Sequence, residues 1–82
     1  MSDLRESIDK IHTTDLGKVR IRKNLSLDPS VDPVKHCKEG VANLSSTIER
    51  KGKNFYVTTD KEVITINASK LSIITAHLKK EN

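Results

Sequence analysis

The sequence predicts an α+β domain in which two to three N-terminal helices pack on a four-stranded antiparallel β-meander. Three observations carry this. Apolar residues recur at spacings of three and four up to Leu44 and at a spacing of two after Ser46, so the period changes from helical to extended in mid-chain. Residues suited to helix N-caps stand at the head of the helical stretches: Asp3, Thr13 with Thr14, and Asp32 followed by Pro33. The extended half is cut by short polar turns at residues 50–54, 60–61 and 68–70, too short for crossover helices, which makes neighbouring strands antiparallel.

In chain order, Leu4, Ile8 and Ile11 fall at i, i+4 and i+7, and Asp3 with Glu6 forms a capping-box pattern, so a first helix is expected to run to about His12. Thr13 and Thr14 cap a second helix ending near Leu25, with Asp15 placed well for the helix dipole. Its faces are unusual. Leu16, Arg20 and Asn24 share one side while Ile21 and Leu25 share nearly the opposite one, the pattern of a helix lying between a core and a site. After a loop at 26–30, Asp32-Pro33 opens a third helix whose seam is Val34, Cys37, Val41 and Leu44, with Gly40 weakening or shortening it. Ile48 then leads into the first turn; Phe55, Val57 and Thr59 alternate with Tyr56 and Thr58; residues 63–66 and 71–78 supply the last two strands. Residues 79–82 read as a frayed tail.

At 82 residues the chain suffices for one core, so residues 1–82 are expected to be a single domain. No apolar run approaches the ~18 residues of a membrane span, and the N-terminus, with Asp3, Arg5, Glu6 and Asp9, lacks the apolar stretch of a secretory signal. Cys37 is the sole cysteine, which rules out an intramolecular disulfide. A cytoplasmic protein without a membrane partner is the expectation. The net charge of +4 is uneven, with Lys18, Arg20, Arg22 and Lys23 in one cluster and Arg50, Lys51 and Lys53 in another. On one common face the two clusters would attract phosphate.

Histidine is the side chain suited to acid–base work near neutral pH. His12 stands at the first helix junction, and Thr75 and His77 share a face of the last strand, so helices packed on that face would bring His12, Arg20, Thr75 and His77 together. His36 is assigned a structural role and Cys37 a place in the core. No metal site is expected, since adjacent His36 and Cys37 point about 100° apart on a helix and no second ligand pair accompanies them. The glycines at 17, 40 and 52 are isolated, so no nucleotide-binding loop forms and no cofactor is expected. Base stacking on the sheet is disfavoured, because Phe55 and Tyr56 are sequence neighbours on opposite strand faces.

The segments His12-Thr13-Thr14-x-Leu16-Gly17-x-x-Arg20-Ile21-x-x-Asn24-Leu25, Glu49-Arg50-Lys51-Gly52-Lys53-Asn54-Phe55-Tyr56, Ile64-Thr65-Ile66-Asn67-Ala68 and Ile73-Ile74-Thr75-Ala76-His77 together resemble a family of small bacterial proteins defined as a domain of unknown function. His36 departs from that pattern, where a large aromatic such as Trp is expected before Cys37. More remotely, helices followed by a four-stranded antiparallel sheet resemble the small metal-independent ribonucleases that include barnase, the tRNase colicins and the RelE-type toxins. That likeness implies a small basic RNA-directed protein, a metal-independent endoribonuclease. His12 and His77 would be its acid–base pair, Arg20 its phosphate clamp, Thr75 or Asn24 an orienting donor, and Arg22, Lys23, Asn24, Arg50, Lys51 and Lys53 its RNA contacts. RNA or a nucleoprotein is the partner so implied, with an antitoxin-like protein beside it. Small size, basic charge and the lack of a cofactor motif equally suit a non-enzymatic inhibitor from a phage or mobile element, anti-CRISPR-like, acting on a nucleoprotein or protein. In a third reading the domain is purely structural, and Arg20 and Asn24 brace the sheet edge.

Overall fold

Alternation after Ser46 produces the sheet the sequence predicts. The computed structural model describes residues 3–79 and contains strands β1 (Thr47–Lys51), β2 (Asn54–Thr58), β3 (Glu62–Asn67) and β4 (Ile73–Leu78), each antiparallel to the next in the order β1-β2-β3-β4. Register sorts the side chains onto two faces. The rows Ile48–Val57–Ile64–Ala76 and Arg50–Phe55–Ile66–Ile73 share one face, and the rows Glu49–Tyr56–Thr65–Thr75 and Thr47–Thr58–Val63–His77 share the other. The first face is apolar and covered by the helices. Val57, Ile64, Ile66, Ile73 and Ala76 form one buried cluster there with Leu4, Ile11, Ile21, Leu25, Cys37 and Val41. The second face is threonine-rich and, among the described residues, carries no helix.

The N-terminal half supplies α1 (Asp3–Glu6), a short 3-10 turn (Ile8–Lys10), α2 (Asp15–Leu25) and α3 (Pro33–Ala42). The expected first helix thus breaks at Ser7. Residues past it are recruited by the sheet: His12 N–H donates to Leu71 O (3.1 Å) and Ile73 N–H to His12 O (2.8 Å), a parallel bridge between His12 and Ser72. Paired backbone outweighs helix propensity in so short a segment. The side chain of Asp3, expected to cap this helix, and residues 80–82 of the expected tail lie outside the described residues.

The other two helices start where their caps stand. Thr14 Oγ1 accepts from Gly17 N–H (3.0 Å) at the head of α2, and Asp32 Oδ1 accepts from Val34 N–H (2.9 Å) ahead of Pro33 in α3. Ile21 and Leu25 bury the inner side of α2, which packs along β4; Arg20 and Asn24, on the side expected to face a site, are exposed. Gly40 neither breaks nor shortens α3. A Cβ at Gly40 would stand 3.2 Å from Ile64 Cδ1, so its lack of a side chain lets α3 lie close on β3. The seam ends at Val41, however, because Asn43 turns to extended backbone and leaves Leu44 87% exposed.

Asn43 turns where Arg5 gathers the chain. Its guanidinium donates to Val41 O, Asn43 O and Ser46 O, each at 3.1 Å, and to Ser46 Oγ at 3.2 Å. A cation at the carbonyl end of α3 also suits that helix's dipole. One side chain thereby ties α1 to the end of α3 and the start of β1. Hydrogen bonds to a charged group contribute about 1.5–3 kcal/mol, and all of these but the one to Asn43 O are half-buried. Arg5→Ala is expected to lower the unfolding free energy by about 2 kcal/mol in urea titration, with Arg5→Lys recovering part of the loss because an ammonium cannot span three carbonyls. A loss below about 0.5 kcal/mol, the size of an ordinary surface substitution, would refute this role.

Candidate functional site

The four residues expected to form a catalytic centre are not brought together. Thr75 and His77 point to the uncovered face of the sheet, away from α2, which carries Arg20 in the helical layer. His12 bridges Ser72 at the opening of β4, while His77 lies five residues further on, about 16 Å at ~3.3 Å per residue. Moreover, the His12 ring turns back on its own chain, with Nδ1 3.0 Å from Lys10 O. An acid–base pair must reach one phosphodiester from both sides. These two residues stand at opposite ends of β4.

The expected phosphate contacts divide in the same way. Arg22, Lys23 and Asn24 lie on α2, which packs against β4, whereas Arg50 and Lys51 end β1 at the far edge of the sheet, three strand spacings or about 14 Å across. They therefore form no common face. Two of the arginines are already engaged. Arg22 Nε donates to Val31 O (3.3 Å), fastening the loop ahead of α3, and Arg50 Nε donates to Gly52 O (2.9 Å) while its guanidinium lies 5.4 Å above the Phe55 ring.

A different set of cations shares one end of the sheet. In a meander the first and third turns share one end of the sheet, and Ala68 N–H donates to Lys53 O at 2.8 Å, joining them directly. Lys51 and Lys53 of the first turn thus lie at the same end as Lys70 of the third. The His12–Ser72 bridge adds Lys10, which like Lys70 stands two residues before the bridge. All four lysines are exposed. Against them stand Glu49, 3.5 Å from Lys51 in a solvent-exposed pair, and Asp9 beside Lys10. The end remains net positive. Lys10 and Lys70 were not singled out from sequence, because each is isolated in the chain and only the topology places them beside the 51–53 turn.

A second polar cluster lies between α3 and the β2–β3 turn, where a cavity of about 210 Å³ is lined by His36, Glu39, Gly40, Thr59 and Glu62, among others. His36 Nε2–H donates to Glu62, 2.8 and 2.9 Å from the two carboxylate oxygens, with side chains 29% and 13% exposed. This pair holds α3 to β3, the structural role expected for His36. Directly after it, Cys37 is fully buried, and burial, reinforced by the Glu62 charge, pushes its thiol up to about 12. A thiol so protonated is no nucleophile at neutral pH. No group of three or more potential metal ligands occurs among the described residues, and none of their helices is long and apolar enough to cross a membrane.

Cys37 nevertheless leaves a mark on stability. The unfolded chain releases the thiol proton near the ordinary value of 9.0, the folded chain only near 12, so the unfolded state gains as pH rises between them. Stability should be unaffected by this group below pH 9 and fall by up to about 4 kcal/mol towards pH 12, at about 1.4 kcal/mol per pH unit. Cys37→Ala is expected to start less stable at pH 7 and to lose less on alkalinisation, measured as urea midpoints across that range. Parallel curves for the two proteins would contradict the assignment.

Comparison with known proteins gives one match. Residues 6–77 match the family described as a protein of unknown function, DUF3781. No curated protein and no solved structure matches the chain. The match runs from the last residue of α1 to the penultimate residue of β4, so it takes in α2, α3, the three turns of the meander and the lysines at its end alike, and the chain belongs to the DUF3781 family.

Proposed function

We propose that this protein binds RNA through its phosphate backbone at the end of the sheet where the first and third turns meet, and that it does so without cleaving it. The observation that carries this reading is that the exposed Lys10, Lys51, Lys53 and Lys70 all lie at one end of the sheet. Lysine suits backbone contact: it is a compact, mobile charge that neutralises phosphate without demanding one geometry. Catalysis has less support. A cleaving site needs an acid, a base and a cation around one phosphodiester, and His12, His77 and Arg20 are spread over two layers and two ends of the fold. The inhibitor reading shares the same binding surface but needs a protein partner that no feature of this end selects.

The test is fluorescence anisotropy with a labelled RNA hairpin bearing a single-stranded tail. Four phosphate contacts predict a log–log salt slope of about −3.5. The combined variant Lys51→Glu, Lys53→Glu, Lys70→Glu should weaken binding at least tenfold while its circular dichroism is unchanged. Arg20→Glu with Lys23→Glu, which alters net charge away from this end, should bind within about threefold of the parent, since rim charges off the contact act weakly. Equal losses in both variants would reduce the site to bulk charge. RNA cut in the presence of EDTA, and spared by His77→Ala, would replace binding with catalysis.

A further inference from the structure

We infer that the RNA seated on this end is double-stranded, an inference that rests on the RNA-binding reading above. Proteins that hold single strands stack the bases on exposed rings, each worth about 1–3 kcal/mol. This chain has one Phe, one Tyr and no Trp. The Phe55 ring lies beneath the Arg50 guanidinium on the helix-covered side of the sheet, and Tyr56, half-buried, sits mid-strand between Glu49 and Thr65 on the open side. Both rings are half-buried. What the turns offer is charge and hydrogen bonding alone, and a duplex, with its bases paired inward, asks for little more.

The shape of this end also favours a duplex. Gly52 adopts φ +59° and has no neighbour within 4 Å of where a Cβ would stand, so the tip of the first turn is open to solvent. Both turns are fixed in advance. Arg50 Nε–H on Gly52 O braces the first (2.9 Å), Asn67 Oδ1 accepts from Ser69 N–H (3.0 Å) and Lys70 N–H (2.9 Å) in the third, and Ala68 N–H on Lys53 O locks the two together. Their centres lie two strand spacings apart, about 10 Å. A rigid pair of cationic tips matches phosphates whose positions a helix already sets, whereas a flexible strand would have to be ordered on them at an entropic cost. Asn54, where β2 begins, and the exposed Ser69 of the third turn supply polar side chains at this end, of the kind that hydrogen-bond the 2′-hydroxyls of the shallow minor groove.

The discriminating measurement uses two labelled RNAs at equal ionic strength, an 18-base-pair duplex of mixed sequence and a 20-nucleotide oligouridine. The duplex should bind at least tenfold more tightly, and Gly52→Pro, which removes the positive φ while leaving the lysines, should erase most of that preference if the variant retains the parent's circular dichroism. Ser69→Ala with Asn54→Ala offers a second route should Gly52→Pro misfold, with an expected loss of about threefold or more on the duplex and none on oligouridine. Oligouridine bound as tightly as duplex overturns this inference and leaves the RNA-binding reading standing. Failure to bind either RNA overturns both.

Discussion

The antiparallel register across β2, β3 and β4 is the constraint from which the other features follow. Val57, Ile64 and Ala76 stand in one cross-strand row and are each fully buried. Shifting any of these strands by one residue would send its apolar set to solvent and bring threonines under the helices, so burial holds the register in place. The same parity that buries Ala76 sends Thr75 and His77 to the uncovered face. It also fixes which turns share an end, and hence which lysines meet. Packing thus decides the location of both the discarded catalytic group and the retained binding surface.

Within that frame the arginines and lysines have separated by role. Arg5 spans three carbonyls, Arg22 fastens a loop, and Arg50 braces a turn over an aromatic ring. A planar guanidinium with several fixed donors is suited to such bridging. Lys10, Lys51, Lys53 and Lys70 make no side-chain hydrogen bond among the described residues, apart from the loose pairing of Lys51 with Glu49. Charge counted along the sequence therefore overstates what is free to meet a ligand in the arginine-containing segments. It understates it where lone lysines from separate turns come together.

Much of the fold was legible because its signals are local. Thr14 and Asp32-Pro33 cap the helices they were expected to cap, and turns form at all three expected places, although the first is only Gly52-Lys53, its expected flanks Arg50, Lys51 and Asn54 being strand. Misjudged features depended on distant partners. The first helix stops early because His12 pairs with Ser72, sixty positions away, and Leu44 leaves its seam because the Arg5 guanidinium and Ser46 hold the chain beyond α3. The face of His77 was partly legible. Ile74, Ala76 and Leu78 alternate with Thr75 and His77, which already opposes the histidine to the apolar side. Consecutive Ile73 and Ile74 obscured the parity, and the structure resolves them as a bulge, with Ile73 buried and Ile74 exposed.

Meander topology explains why a binding surface forms at the turns rather than on the open face. The open face is wide, but its charges are few and mixed: Glu49 opposes Lys51, and threonines fill the rows between. A turn, by contrast, has no cross-strand neighbour to satisfy, so cations there can accumulate without disturbing the ladder. At the opposite end the β2–β3 turn carries Asp60 and Lys61, next to Glu62 and its histidine partner, so charges of both signs stand side by side. The sheet is therefore electrostatically polar along its strands. A polyanion approaching it is drawn to one end, where the two tethered turns and the His12 bridge present lysines from three separate stretches of the chain.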